Sequence, residues 1–248
     1  METSYKDKGH TNYSNGTTQR KKTAKKSVTK KKKASKPIKP KTRGSHQVRR
    51  AATRLKVLEA GISILGELGY HAATTTLIAK RAGVSRGALL HQFPTHSDLM
   101  FAIVQHIILK HHEHNARALA TTKRGIDQFR CLTDALWQKS KSPEMIALIE
   151  IHLASRSVPE LSEGLGWRID ELIQSETEKT WHLAQEAGIK DRRAVDALYT
   201  LTVASIWGLS ILQLKLWGDN EINGAFRLLK NNLDNFIEIY CKEKSFLK

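Results

Sequence analysis

Acidic residues are nearly missing from the first fifty positions, which hold 17 Lys/Arg against 2 Asp/Glu. The rest of the chain does not share that bias: residues 51–110 carry 6 basic against 3 acidic side chains, and residues 111–248 carry 18 against 19. The formal net charge of +17 is therefore the property of a tail, and the body is close to neutral. Cysteine is scarce as well. Cys131 and Cys241 cannot make a disulfide framework, and free thiols fit a reducing cytoplasm. No apolar run follows Met1, so no secretory signal is expected. Alternating strand patterns and internal repeats are also lacking, which leaves an all-α fold.

Chemistry-bearing constellations are equally sparse. No nucleophile elbow, phosphate loop or paired carboxylates occur in a supporting context, so neither catalysis nor a cofactor is expected. In "HIILKHHEHNAR", His111 and His114 stand one helical turn apart beside Glu113. No second matched pair joins them, and a hydrated helix end is expected rather than a metal site. The uncharged stretch "LYTLTVASIWGLSILQL", 198–214, approaches the length of a membrane span. Thr200, Thr202, Ser205, Ser210 and Gln213 interrupt it and Lys215 closes it, so a helix buried among protein neighbours is expected and no membrane partner.

What is present is helical periodicity. Residues 1–46 have almost none and read as a disordered Lys-rich tail, because they cannot bury enough surface to offset ordering entropy. From Ala51 onwards, Leu55, Leu58, Ile62, Leu65 and Leu68 recur at three- and four-residue spacing until Gly69. Thr74 is placed to cap a second helix that stops at Gly83, and Pro94 ends a third. Ser97 is placed to cap a fourth, running to about Ala118. Further helices are expected near 123–140, 144–155, 160–188, 191–217 and 221–243. This divides the chain into the tail, a small helical unit over 51–111 and a larger helical bundle over 112–248.

The stretch "AGVSRGALLHQF", 82–93, makes the first unit specific. Ala79 and Ala82 are small enough for two helices to cross closely, and Gly83 allows the left-handed turn between them. Ile78, Val84, Leu89 and Phe93 supply inward sides, leaving Arg86, Gly87, Leu90, His91 and Gln92 outward. That is a helix-turn-helix whose second helix can enter a DNA major groove. The Arg86 fork matches a guanine edge or a phosphate, and Gln92 can pair with adenine. Lys80, Arg81 and Arg86 lie between Thr74 and His96, and no acid does.

"TTTLIAKRAGVSRGALLHQFPTHSDLM" resembles the DNA-binding domain of TetR/AcrR-type transcriptional regulators, over about residues 51–111, and "LIEIHLASRSVPEL", 148–161, is similar to a segment of many members. The resemblance implies that Thr74 and Thr75 touch phosphates, that Ser85, Arg86, Gly87 and Ala88 begin the recognition helix, and that His91 and Gln92 face DNA. Leu90 stands where the family has a backbone-reaching tyrosine, and His96 where it has a phosphate-contacting lysine. The tail is then the candidate that compensates, since its lysines release counterions from any DNA sequence.

For the bundle, the resemblance implies ligand sensing and dimerisation. Ala204, Gly208 and Leu212 on the 191–217 helix, with Leu233 and Phe236 on the last, are the expected homodimer face, although the same stripe serves packing within one subunit. Trp137, His152, Trp167 and Trp181 fall on helices expected to enclose a small apolar or aromatic effector. The expected function is a dimeric, ligand-responsive regulator, a repressor on a pseudo-palindromic double-stranded DNA operator, in the bacterial cytoplasm at the nucleoid. An architectural protein that coats DNA through the basic tail is the alternative.

Overall fold

The computed structural model describes residues 43–214 and 217–241, excepting the side chains of 43–45 and 167–169. Every regular element among the described residues is helical: α1 (Arg43–Leu68), a 3-10 turn (Tyr70–Ala72), α2 (Thr75–Ala82), α3 (Arg86–Gln92), α4 (His96–Ala120), α5 (Ile126–Lys139), α6 (Pro143–Ser155), α7 (Pro159–Glu186), α8 (Arg192–Leu212) and α9 (Asp219–Cys241). The all-α expectation holds, and the later helices end within a few residues of where periodicity places them. Two boundaries differ. Helix α1 starts at Arg43, so the last four residues assigned to a disordered tail are helical; the rest of the tail lies outside the described residues. The cap of α4 is Thr95, not Ser97. The Thr95 hydroxyl accepts from the Asp98 N–H while the Asp98 carboxylate accepts from the Thr95 N–H, a reciprocal capping box that Ser97 cannot make.

Sequence chemistry sets the remaining ends. Ser142 caps α6 with Pro143 in its first turn, where a missing N–H costs nothing. Asp191 caps α8 through the Ala194 N–H.

The main apolar core is built from Val57, Ile64 and Leu65 of α1, Ile78 of α2, Leu89 of α3, and Leu99, Ile103 and Ile107 of α4. Leu55 and Leu68, at the two ends of the expected α1 stripe, are exposed; Val57, Ala60 and Ile64 bury beside the stripe instead. Ala147 and Ile151 of α6 and Leu161 and Leu165 of α7 complete the same core. The split at residue 111/112 therefore falls inside the continuous helix α4, and the second unit contributes side chains to the first.

The remaining C-terminal helices are held by three smaller apolar islands. Phe129, Val195, Leu233 and Ile237 make one, Ile206, Leu209, Phe226 and Leu229 a second, and Met145, Ile146 and Ile149 with Trp207 a third. Helix α8 has the length and mean hydropathy (1.5) of a membrane span, yet only one side of it is buried. Val195, Thr202, Ile206 and Leu209 face inward, while Leu201, Ala204 and Ile211 are exposed.

His96 is a structural residue here. Its Nε2 lies 2.8 Å from the Ala73 carbonyl, which can only accept, so Nε2 carries the proton. Its Nδ1 is left to accept from the Tyr70 hydroxyl at 3.4 Å. Burial, reinforced by Glu160, raises the Tyr70 hydroxyl above its ordinary pKa and keeps it a neutral donor. The half-buried ring thus ties α4 to the 3-10 turn, which overturns its assignment as a phosphate contact. A lysine at this position can donate to Ala73 but cannot accept from Tyr70, and it brings a charge into a half-buried site. His96→Lys should lower stability by about 1–3 kcal/mol, the range for an unsatisfied buried polar group. Thermal melts check the loss; a variant as stable as the wild type that binds all DNA more tightly would return His96 to the DNA face.

Candidate nucleic-acid interface

Helices α2 and α3 are set by their caps. The Thr74 hydroxyl accepts from the Leu77 N–H at 3.2 Å and starts α2. Gly83 stops it in the left-handed conformation (φ 66°, ψ 34°), and its N–H and that of Val84 return to carbonyls of the last turn. Only two residues later the Ser85 hydroxyl accepts from the Ala88 N–H at 3.1 Å and starts α3. Ile78, Leu89 and Phe93 are fully buried beneath the corner. This short connection between two capped helices is the helix-turn-helix arrangement.

On α3, Ser85, Arg86, Gly87, Ala88 and His91 are exposed. With Leu89 and Phe93 inward, a 100° step per residue puts Gly87, His91 and Ala88 at the centre of the outer face. Leu90 and Gln92 fall on its flanks and are half-buried, and Leu90 packs on the core, which corrects its assignment as an outward DNA contact. Thr74 is exposed and Thr75 half-buried. Arg81 is not a free cation. It donates to the Glu67 carboxylate at 2.6 Å and to the Ser63 hydroxyl at 2.7 Å, and Ser63 and Arg81 together hold that carboxyl below its usual range.

One basic residue beside α3 escaped the sequence analysis. The Arg54 guanidinium of α1 stacks over the Phe93 ring, 4.6 Å from its centroid, at the end of the recognition helix. Arg50, one turn earlier on α1, is exposed. Its signal in the sequence is the i, i+4 arginine pair at 50 and 54, which straddles the point near Ala51 where apolar periodicity begins.

Residues 57–103 match the sequence model of the bacterial regulatory proteins of the tetR family. The likeness to that family is a likeness of this segment. Over 121 residues the chain is 30% identical to an uncharacterized HTH-type transcriptional regulator of Mycobacterium tuberculosis, covering 49% of this chain and 62% of that one. The chain thus spans less than two thirds of the length of that relative. An HTH-type transcriptional repressor of the same organism is 25% identical over 148 residues, 60% of this chain and 75% of the repressor. A crystal structure of a putative transcriptional regulator from Saccharomonospora viridis, in complex with choline, superposes with a TM-score of 0.58. It covers 76% of this chain and 96% of its own at 20% identity, and shows the shared fold.

Outside the tetR-family segment, the expected effector residues do not converge. Trp137 stacks on Phe226, with ring centroids 4.2 Å apart, in the second island. Trp181 packs at the edge of the first, under the Arg192 guanidinium. His152 is exposed against the edge of Trp207, and the Trp167 side chain lies outside the described residues. Trp137 and Trp181 thus fill gaps between helices in two different islands. The expected dimer residues also divide. Gly208 and Leu212 border an open apolar groove between α8 and α9 and Ala204 is exposed on α8 outside its lining, whereas Leu233 is core and Phe236 stacks on Tyr240 and packs at a tilt on Phe129.

Gly87 has no packing reason to be glycine. A Cβ placed there meets no atom within 4 Å, and the residue sits in ordinary helix. Glycine costs a helix up to about 1 kcal/mol relative to alanine, most where the helix interior is longest. Gly87→Ala is therefore expected to leave stability unchanged or slightly raised while weakening DNA binding, because the methyl group intrudes on a surface kept clear for a partner. Melting curves and DNA titrations on one preparation check both signs; unchanged DNA affinity would take Gly87 out of the interface.

Proposed function

We propose that the chain is a tetR-family transcriptional repressor that binds double-stranded operator DNA as a homodimer and leaves it when a small-molecule effector binds. The observation that carries this reading is the exposed surface of α3, with Gly87, Ala88 and His91 on its outer face, Arg86 exposed at its first residue, and Gly87 smaller than packing requires. Arg86 is the base- or phosphate-reading fork, and Ser85, Thr74 and Thr75 lie at helix starts able to approach phosphates. Gln92 reaches bases from the flank of the helix. The basic tail adds sequence-independent attraction, and the site of action is the bacterial cytoplasm.

A second copy of the chain is the proposed occupant of the α8–α9 groove. Leu201 is 50% and Leu228 67% exposed on its two walls, and Ser205 and Gly208 leave its floor shallow. Burying such a face is how two recognition helices acquire the fixed separation that successive major grooves demand.

Helix α6 links this bundle to the DNA-binding unit. Its Ala147 and Ile151 belong to the main core, its Met145, Ile146 and Ile149 to the island around Trp207 of α8. The Glu150 carboxylate accepts the Tyr70 N–H at 2.8 Å, and Pro143 lies against Gly66 of α1. An effector with an apolar or aromatic body that favours one placement of α6 therefore favours one separation of the recognition helices.

Footprinting tests the reading. One protected pseudo-palindrome is the expected pattern, and continuous salt-sensitive coverage would favour a DNA-coating role instead. On that site Arg86→Ala should cost about 1–3 kcal/mol of binding, the range for a lost bidentate base contact. Unchanged affinity would remove Arg86 from the interface. For the dimer, Ala204→Glu is the probe, since Ala204 lies one helical turn from Gly208 of the groove and is exposed within one subunit, where a carboxylate stays hydrated. Between apolar helices the same carboxylate loses its hydration without a partner, and sedimentation should show monomers. A folded, dimeric Ala204→Glu protein would place the subunit contact elsewhere.

A further inference from the structure

The buried polar side chains of this protein are not evenly shared. Among the described residues they are Asn115, Thr133, Lys139, Ser140, Thr180, Thr202 and Ser210, all beyond the helix-turn-helix unit. Asn115, at the far end of α4, is the earliest of them in the chain. The C-terminal apolar residues, for their part, form separate islands rather than one core.

Lys139 is the costliest member of this set. Only 6% of it is exposed. Its ammonium, on the last residue of α5, reaches α4, where it donates to the Asn115 side-chain oxygen and to the His111 carbonyl at 3.3 Å. Both acceptors are neutral, and among the described residues no carboxylate stands within ion-pair distance of it. Glu176 of α7 exerts an attraction from farther off, but its carboxylate is already paired with His112 and Lys179, each at 2.8 Å. His111 is half-buried on α4, and burial, with Lys139 adding to it, lowers its pKa to about 4. His111 is thus neutral near pH 7 and supplies no counter-charge. The next residue, Ser140, is wholly buried, and its hydroxyl has no hydrogen-bond partner. A buried ammonium without an anion is a costly arrangement, since desolvation is not offset by a partner charge.

We propose that Lys139, with Asn115 beside it, is the anchor for the acid group of a carboxylate-bearing effector. The inference rests on the reading of the C-terminal bundle as the effector domain, and it names the effector class. The surplus of donors over acceptors selects an anion: a lysine offers three N–H groups and gives two of them to neutral oxygens, and Asn115 keeps its NH2 once its oxygen is engaged. A carboxylate supplies the missing charge and accepts several of these bonds at once. Leu136, one turn before Lys139 on α5, is a partly buried apolar neighbour for the effector's body. The predicted class is a monocarboxylic acid with an aromatic or aliphatic body.

Calorimetry on the full-length protein tests this with benzoate and octanoate against their neutral counterparts benzamide and octanamide. At least one acid should bind about tenfold or more tightly than its amide, and Lys139→Met should erase that preference. A second measurement needs no variant. Burial lowers Lys139 to about 8 in the free protein, so the ammonium is lost as pH rises above that value while the acids remain ionised. Acid affinity should hold steady between about pH 6 and 7.5 and fall by about tenfold per unit well above 8. No acid binding, equal binding of acid and amide, an acid preference that survives in Lys139→Met, or a flat profile through pH 9 overturns the proposal. Operator titrations without acid run alongside. Loss of operator binding in the wild type sinks the regulator reading whatever the acids do; intact operator binding with no acid preference sinks the effector class alone.

Discussion

The burial of Ala147 and Ile151 of α6 against α1 and α4 is the constraint on which the other arrangements depend. It makes the DNA-binding unit and the bundle share one core, so α6 cannot shift without disturbing α1. A helix-turn-helix this small, with a seven-residue recognition helix, has little apolar surface of its own, and small units are marginal for that reason. The shared core relieves this by lending side chains from α6 and α7. The hydrogen bond from the Tyr70 N–H to Glu150 and the approach of Pro143 to Gly66 fix the same contact at two further points. Stability of the reading head and its mechanical connection to the bundle are one feature.

Local rules made much of this legible. Caps at Thr74 and Ser85, the left-handed turn at Gly83 and the inward set Ile78, Leu89 and Phe93 follow from a few residues in sequence. These are short-range effects, and sequence carries them directly. The misplacements share a different origin. His96 turns inward because Ala73 and Tyr70, more than twenty residues upstream, present a carbonyl and a hydroxyl to it. Arg81 is neutralised by Glu67 on another helix. Leu90 lies on an outward-looking position of α3 yet reaches back to the core. Each depends on a tertiary neighbour that no periodicity encodes. The start of α1 was missed for a compositional reason: "RGSHQVRR" lacks an apolar stripe, and helical continuity with the apolar turns that follow overrides that lack.

The bundle was less legible still, because apolar stripes do not say what they face. Leu233 and Leu228 lie five residues apart on α9, and one is core while the other is exposed. Helix α8 repeats the ambiguity along its length, with Ile206 and Leu209 inward and Leu201 and Ile211 outward. A one-sided burial pattern on a helix this apolar leaves a hydrophobic face in water, and such faces mark association sites. The aromatic residues mislead in the same way: tryptophan is placed wherever large surface must be filled, and filling gaps between islands needs it as much as a pocket does.

The polar residues of the bundle carry more information than its aromatics, because they are expensive. An apolar island between two helices stabilises at any sequence that packs, so its presence says little about purpose. A lysine ammonium beneath the surface, tied only to neutral oxygens, opposes folding at neutral pH, and apolar side chains of similar volume would be cheaper. Among the described residues the helix-turn-helix unit carries no such expense in its core. Within a single chain the same solvent and the same helix geometry produce a dry core at one end and a costly polar interior at the other. On the proposed function that difference has a reason: one end holds a rigid shape for a surface, and the other changes its energy when a small molecule arrives.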